Sequence, residues 1–114
     1  MSFTVSQRKS EGVTVLDVTG RIVLGEDASR LLETLKGLAA GGEKRILLNL
    51  AEVTYVDSAG LGTLVRSHTA FQEQGGQIKL LKVPAKVQTL LKITKLSHLF
   101  EAFGDEASAV KSFG

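Results

Sequence analysis

Hydrophobic and polar positions alternate early in the chain, in two short runs. Phe3 to Lys9 alternates weakly, Glu11-Gly12 interrupts it, and Val13-Thr14-Val15-Leu16-Asp17-Val18-Thr19 follows with β-branched residues on both faces. That pattern predicts a β-hairpin. After Gly20 the apolar piece Ile22-Val23-Leu24 suggests a further brief strand, closed by Gly25-Glu26-Asp27. Asp27 has the chemistry of a helix N-cap, since its carboxylate can accept from the unpaired amides of a first turn. Behind it Ala28, Leu31, Leu32, Leu35, Leu38 and Ala39 recur at the spacing of three and four that lines one helix face, with Arg30, Glu33, Thr34 and Lys36 opposite.

Gly41-Gly42 stops this helix, and Ile46-Leu47-Leu48-Asn49-Leu50 is almost continuously apolar and too short for most helices. Such a run suits a central strand covered on both faces. From Ser58 to Gln74 a second helical stripe carries Leu61, Leu64, Val65, His68 and Phe71, ended by Gly75-Gly76. Gln77 to Val83 predicts another strand. Pro84 fits the first position of a helix whose apolar face is Val87, Leu90 and Leu91. Leu96, Leu99, Phe100 and Phe103 form a further apolar cluster, and a last helix is expected from Asp105 to Ser112.

Strands alternating with helices imply an α/β fold: a mixed sheet with an N-terminal hairpin and later parallel strands, packed with about four helices. The length of 114 residues matches one domain, residues 1–114. In such folds function gathers where strands end and helices begin. The junction at Asp57-Ser58 is therefore the first place to look.

Composition narrows the chemistry. With no cysteine there are no disulfides, thiolate nucleophiles or cysteine-held metals, and two histidines offer few general bases. No cluster has metal-ligand spacing, and no motif implies a cofactor. A formal net charge of +2 is too small to imply binding to nucleic acid or an anionic membrane. No stretch approaches a membrane span, and Met1-Ser2-Phe3-Thr4 does not open a signal peptide, so a cytoplasmic location is expected. Lys79, Lys82, Lys86, Lys92 and Lys95 fall in a stretch without acids and read as a solvated face, the alternative being a phosphate-contacting patch, though without interleaved aromatics.

Val53-Thr54-Tyr55-Val56-Asp57-Ser58-Ala59-Gly60-Leu61-Gly62 places an acid, a hydroxyl and two glycines at a helix entry. Each helical glycine costs about 1 kcal/mol relative to alanine, and both withhold side-chain cover near Ser58. One reading is structural: Asp57 or Ser58 caps the helix and Gly62 allows close packing on a strand. The other presents Ser58 for contact or phosphorylation at a positively polarised helix end, where phosphate oxygens could meet free amides. Catalysis fits less well. Val56 stands where a nucleophile elbow needs glycine, and His68 lies ten residues farther along the helix, about 15 Å by its rise. His68 reads as a partly buried core residue. Gly60-Leu61-Gly62 completes neither a dinucleotide fingerprint nor a P-loop.

From Ile46 to Gly62 the chain resembles the STAS domain family, particularly bacterial anti-sigma factor antagonists, through Asp57-Ser58-Ala59-Gly60-Leu61-Gly62 after a hydrophobic strand. The hairpin ending at Gly20, the leucine-rich helix, the Gly75-Gly76 turn and Lys95-Leu96-Ser97-His98-Leu99-Phe100 match the family's layout. The resemblance implies a non-enzymatic switch whose Ser58 is phosphorylated by a partner anti-sigma factor with serine kinase activity. The unphosphorylated form binds that partner and releases the sigma factor, and a PP2C-type phosphatase resets the serine. ATP and magnesium would belong to the kinase, leaving this chain without a cofactor. Asp57, Ala59, Gly60, Leu61 and Gly62 would form the partner-facing surface.

Two positions depart from the family pattern. Val23 stands where many antagonists carry an acid, so Glu26 or Asp27 would take its place or partner recognition would differ. Asn49 replaces a common aspartate. The Val23 departure motivates an alternative: a STAS scaffold or accessory subunit in a signalling or transport complex without a phosphate cycle.

Overall fold

The computed structural model describes residues 3–114. Strands β1 (Thr4–Ser10) and β2 (Val13–Ile22) form the hairpin; helix α1 (Glu26–Ala40) leads to β3 (Arg45–Val56), and α2 (Ser58–Glu73) to β4 (Gln77–Leu81). Helix α3 (Ala85–Ile93) continues through a 3-10 turn at Ser97–Leu99 into β5 (Ala102–Phe103) and α4 (Glu106–Ser112). One five-stranded sheet has the order β1-β2-β3-β4-β5. β1 and β2 are antiparallel and every other neighbouring pair is parallel, as the sequence pattern predicts.

The apolar run in β3 is continuous because the sheet is covered on both faces. Ile46, Leu48 and Leu50 enter the larger core with Leu31 and Leu35 of α1, Leu64 and Phe71 of α2, and Val87 and Leu91 of α3. Leu47 points the other way and joins Val13, Val15 and Leu81 beneath Ala109 and Val110 of α4. Side chains alternate along a strand, so adjacent apolar residues require two apolar surroundings.

Beyond α4 the same face is polar. Arg8 donates to both carboxylate oxygens of Asp17 (2.7 and 3.2 Å) and of Glu106 (2.8 and 2.7 Å), tying β1, β2 and α4 together. These bonds hold the Asp17 and Glu106 carboxyls below their ordinary range, Arg8 being the largest cause for each. Asn49 Nδ2 donates to Asp17 at 2.8 Å. An aspartate in its place would set two carboxylates against each other, which accounts for the amide here.

Several expectations are corrected. Ile22 is the last residue of β2, and Val23-Leu24 lies outside any strand, so no separate short strand forms. β3 continues from Leu50 to Val56, accommodating the additional length at two irregularities against β2, near Asp17/Thr19 and Gly20/Arg21. Pro84 occupies the position before α3, one residue earlier than expected, and Asp105 caps α4 by accepting from the Ser108 amide. Lys79 is not solvated: it is 4% exposed, and its Nζ donates to the carbonyl (3.1 Å) and hydroxyl (2.9 Å) of Ser112. Both glycine stops hold. The Glu43 and Gly76 amides return to the Leu38 (3.0 Å) and Phe71 (2.7 Å) carbonyls, satisfying groups left open by α1 and α2.

Candidate functional site

β3 and β2 end side by side, with Ile22 in register with Val56, and this pairing delivers Asp57 to the loop that follows β2. The Asp57 amide donates to the Ile22 carbonyl at 3.3 Å. Its backbone is extended, and one carboxylate oxygen accepts from the Gly60 amide at 2.8 Å, so Asp57 is the N-cap of α2. The other oxygen accepts from the Leu24 amide at 2.9 Å. These amides, Leu24 first and Gly60 next, stabilise the ionised carboxylate and hold the Asp57 pKa below its ordinary value. A second link comes from Thr63, whose hydroxyl lies 3.5 Å from the Ala28 carbonyl. The start of α2 is thereby fastened to both the β2–α1 loop and the first turn of α1.

On this platform Ser58 is the first residue of α2 and is exposed. Ala59 and Gly62 are half-buried, while Gly60 and Leu61 are buried, Leu61 at 5% exposure. Gly60 has a specific reason: a Cβ there would stand 2.1 Å from the Ile22 carbonyl oxygen. It permits a close backbone approach and does not open the helix end. At Gly62 a Cβ would meet only the Arg66 guanidinium, at 3.4 Å, so no strand packs on it. Of the amides at this helix end, that of Gly60 is taken by the Asp57 carboxylate.

Glu26 is exposed and Asp27 half-buried in the opening turn of α1. Asp27 is not the cap. Gly25 precedes the helix with φ 111° and makes no side-chain cap bond, leaving Asp27 as the second helical residue. Sequence reasoning missed two neighbours. Leu24 is 79% exposed although its amide is fixed to Asp57, and Tyr55, two residues before Asp57, is 48% exposed. Tyr55 carried a signal, an aromatic two residues before Asp57, whereas Leu24 carried none, because it lies far from Asp57 along the chain and reads as part of an apolar strand.

His68 packs edge-on against Phe100 with ring centroids 5.1 Å apart, and its Nδ1 is buried with no hydrogen-bond partner among the described residues. Burial pushes its pKa down, consistent with the partly buried residue expected. His98 is exposed on the 3-10 turn. Among the described residues no group of three or more metal-ligating side chains converges, and no helix is long and apolar enough to cross a membrane. Chemically, the site offers an accessible hydroxyl on a fixed backbone, bordered by acids and by exposed apolar side chains.

The STAS domain family model matches residues 4–109. The anti-sigma-B factor antagonist of Bacillus subtilis (strain 168) is 31% identical over 102 residues, covering 89% of this chain and 91% of that protein. Among solved structures, an anti-sigma factor antagonist from Mycobacterium paratuberculosis superposes with a TM-score of 0.82 at 19% identity, covering 97% of this chain and 93% of the other. The Bacillus cell fate determinant SpoIIAA in its phosphorylated form gives 0.75 at 14% identity, covering 99% and 100%. The structural likenesses establish a shared fold. With the family model spanning nearly all of the sheet and helices described above, this chain belongs to the STAS domain family.

Proposed function

We propose that the chain is an anti-sigma factor antagonist whose binding surface is centred on Ser58 and switched by phosphorylation there. The observation that carries the reading is the exposed Ser58 hydroxyl on a backbone fixed by Asp57, in a chain 31% identical to an anti-sigma-B factor antagonist. The partner is an anti-sigma factor with serine kinase activity. Its capture by this chain frees the sigma factor.

In the transfer step the Ser58 oxygen bonds to the γ-phosphorus of ATP, the bond from that phosphorus to the β-γ bridging oxygen breaks, and ADP leaves. The serine proton passes to a base of the kinase, which also holds ATP and magnesium. This explains why Ser58 needs no histidine of its own. A PP2C-type phosphatase hydrolyses the phosphoserine and restores the hydroxyl. Docking places Ser58, Ala59, Gly62, Glu26 and Asp27 against the partner, while Asp57, Gly60 and Leu61 support that surface from beneath.

Phosphate adds about 1.5 to 2 negative charges beside Asp57. Burying that charge against a partner without compensating cations carries a desolvation penalty as well as repulsion. A loss of about 2.7 kcal/mol already weakens binding about a hundredfold. Isothermal titration against the kinase partner tests this: Ser58→Asp is expected to bind at least about tenfold more weakly, with its melting temperature unchanged because Ser58 is exposed. Equal binding by the two forms counts against the switch. It would favour the second reading, a STAS scaffold in a signalling or transport complex, which half-buried Val23 in place of an acid supports.

A further inference from the structure

A large apolar side chain left in solvent is ordinary when it stands alone. Among the described residues Leu24, Tyr55 and Ile93 are the exposed large hydrophobic side chains, and two of these three adjoin the serine. Tyr55 leads into Asp57-Ser58 along the chain, and Leu24 is joined to Asp57 through its own amide. Leu24 is the most exposed of them, and it lies outside any helix or strand. No regular alternation dictates that its side chain should face water.

The loop that carries it is tied down on both sides. The Val23 carbonyl accepts from the Ala28 amide (3.2 Å), the Leu24 amide donates to Asp57 (2.9 Å), and the Gly25 carbonyl accepts from the Ser29 amide (3.1 Å). Ile22, just ahead, is buried in the larger core. Gly25 turns the chain into α1 at φ 111°, a conformation that favours glycine, so the residue after Leu24 brings no side chain to cover it. Leu24 is therefore presented to solvent on a backbone that is already ordered, which lowers the entropy lost when a partner docks on it.

We propose that Leu24 is the apolar anchor by which this chain docks on its kinase partner, its side chain entering an apolar pocket of that protein beside the place where Ser58 is received. In the antagonist reading, on which this rests, the exposed hydroxyl and the flanking acids exchange water for partner contacts and bring little net affinity of their own. Burying a leucine side chain removes apolar surface from water and supplies what they do not. Water excluded around Leu24 also lowers the dielectric beside Ser58, so the same contact makes a phosphate there harder to accommodate. The Asp57 carboxylate holds the Leu24 and Gly60 amides together and thereby fixes the anchor relative to the hydroxyl.

The test uses the full unphosphorylated chain, with the purified cognate anti-sigma factor kinase as the probe. Leu24→Ala and Leu24→Gln alter an exposed side chain and are expected to keep the parent's melting temperature. In isothermal titration both should bind about tenfold more weakly or worse, whereas Leu24→Met keeps the apolar bulk and stays within about threefold of the parent. Ile93→Ala removes a comparably exposed aliphatic chain from α3 and should leave the affinity unchanged. With the chain as kinase substrate, Leu24→Ala should raise KM about tenfold at constant kcat, because the contact is the same before and during phosphate transfer. Four results overturn the proposal: parent-like affinity in Leu24→Ala or Leu24→Gln, a lowered kcat at constant KM, an equal loss in Ile93→Ala, or a dimer of the parent chain that Leu24→Ala dissociates. A parent chain that does not bind the kinase overturns the antagonist reading itself, and that result is seen before any variant is compared.

Discussion

A methyl group on Gly60 would overlap the Ile22 carbonyl oxygen, whereas one on Gly62 would meet only the tip of the Arg66 side chain. The two glycines stand two residues apart in one motif, yet opposite outcomes are expected on substitution. Gly60→Ala should destabilise the chain by about 2–3 kcal/mol, because backbone must move to admit the methyl group. Gly62→Ala should be neutral or stabilising by up to about 1 kcal/mol, since alanine is the better helix former. Urea unfolding curves measure both. Similar losses in both variants would refute the distinction. The sequence could show that glycine was present at these positions but not which of them faces a carbonyl, because that contact comes from Ile22, far away along the chain. Lys79 teaches the same point: its side chain is buried by Ser112 and Phe113, which no local pattern around β4 announces.

At the scale of elements, one carboxylate joins the start of α2 to the β2–α1 loop. Asp57→Ala removes the acceptor for both the Gly60 and Leu24 amides, and a loss of about 1–2 kcal/mol is expected in thermal or urea unfolding. Faster amide exchange at Leu24 should accompany it, and unchanged Leu24 exchange would contradict the strut. Helix α4 is held to the hairpin by Arg8, which keeps Asp17 and Glu106 ionised. Their folded pKa values are lowered, so their contribution is present above the ordinary carboxylate range. It is lost as the pH falls below about 4 and through the lowered values. Arg8→Ala should flatten the acid limb of the stability profile by up to about 1 kcal/mol, given that these pairs are solvent-accessible. An unaltered limb would remove the network from the account.

Periodicity made α1, α2 and the hairpin legible, because their apolar residues repeat at one spacing for two turns or more. It failed where tertiary pairing decides. β3 runs on through Ala51-Glu52-Val53-Thr54-Tyr55 because β2 lies beside it, although that segment lacks a regular apolar pattern. β5 has two residues, too few to leave a signature. α1 starts without a side-chain cap because Asp57, not Asp27, secures the loop before it.

For the whole molecule, the sheet presents the Ser58 loop at the end of β3, where the Asp57 amide ties it to the Ile22 carbonyl of β2. The fold and the position of the serine loop were legible from the motif and its order among the elements. The exposed Leu24 was not, since its exposure follows from how Asp57 draws the loop across the end of α2. An exposed serine on a fixed scaffold can gain charge without unfolding anything, which is what a reversible binding switch requires. The most direct measurement is phosphate incorporation, located by mass spectrometry after incubation with the partner kinase and ATP. The account predicts phosphate on Ser58 alone in the parent chain and none in Ser58→Ala. Labelling of Ser58→Ala equal to that of the parent would contradict it.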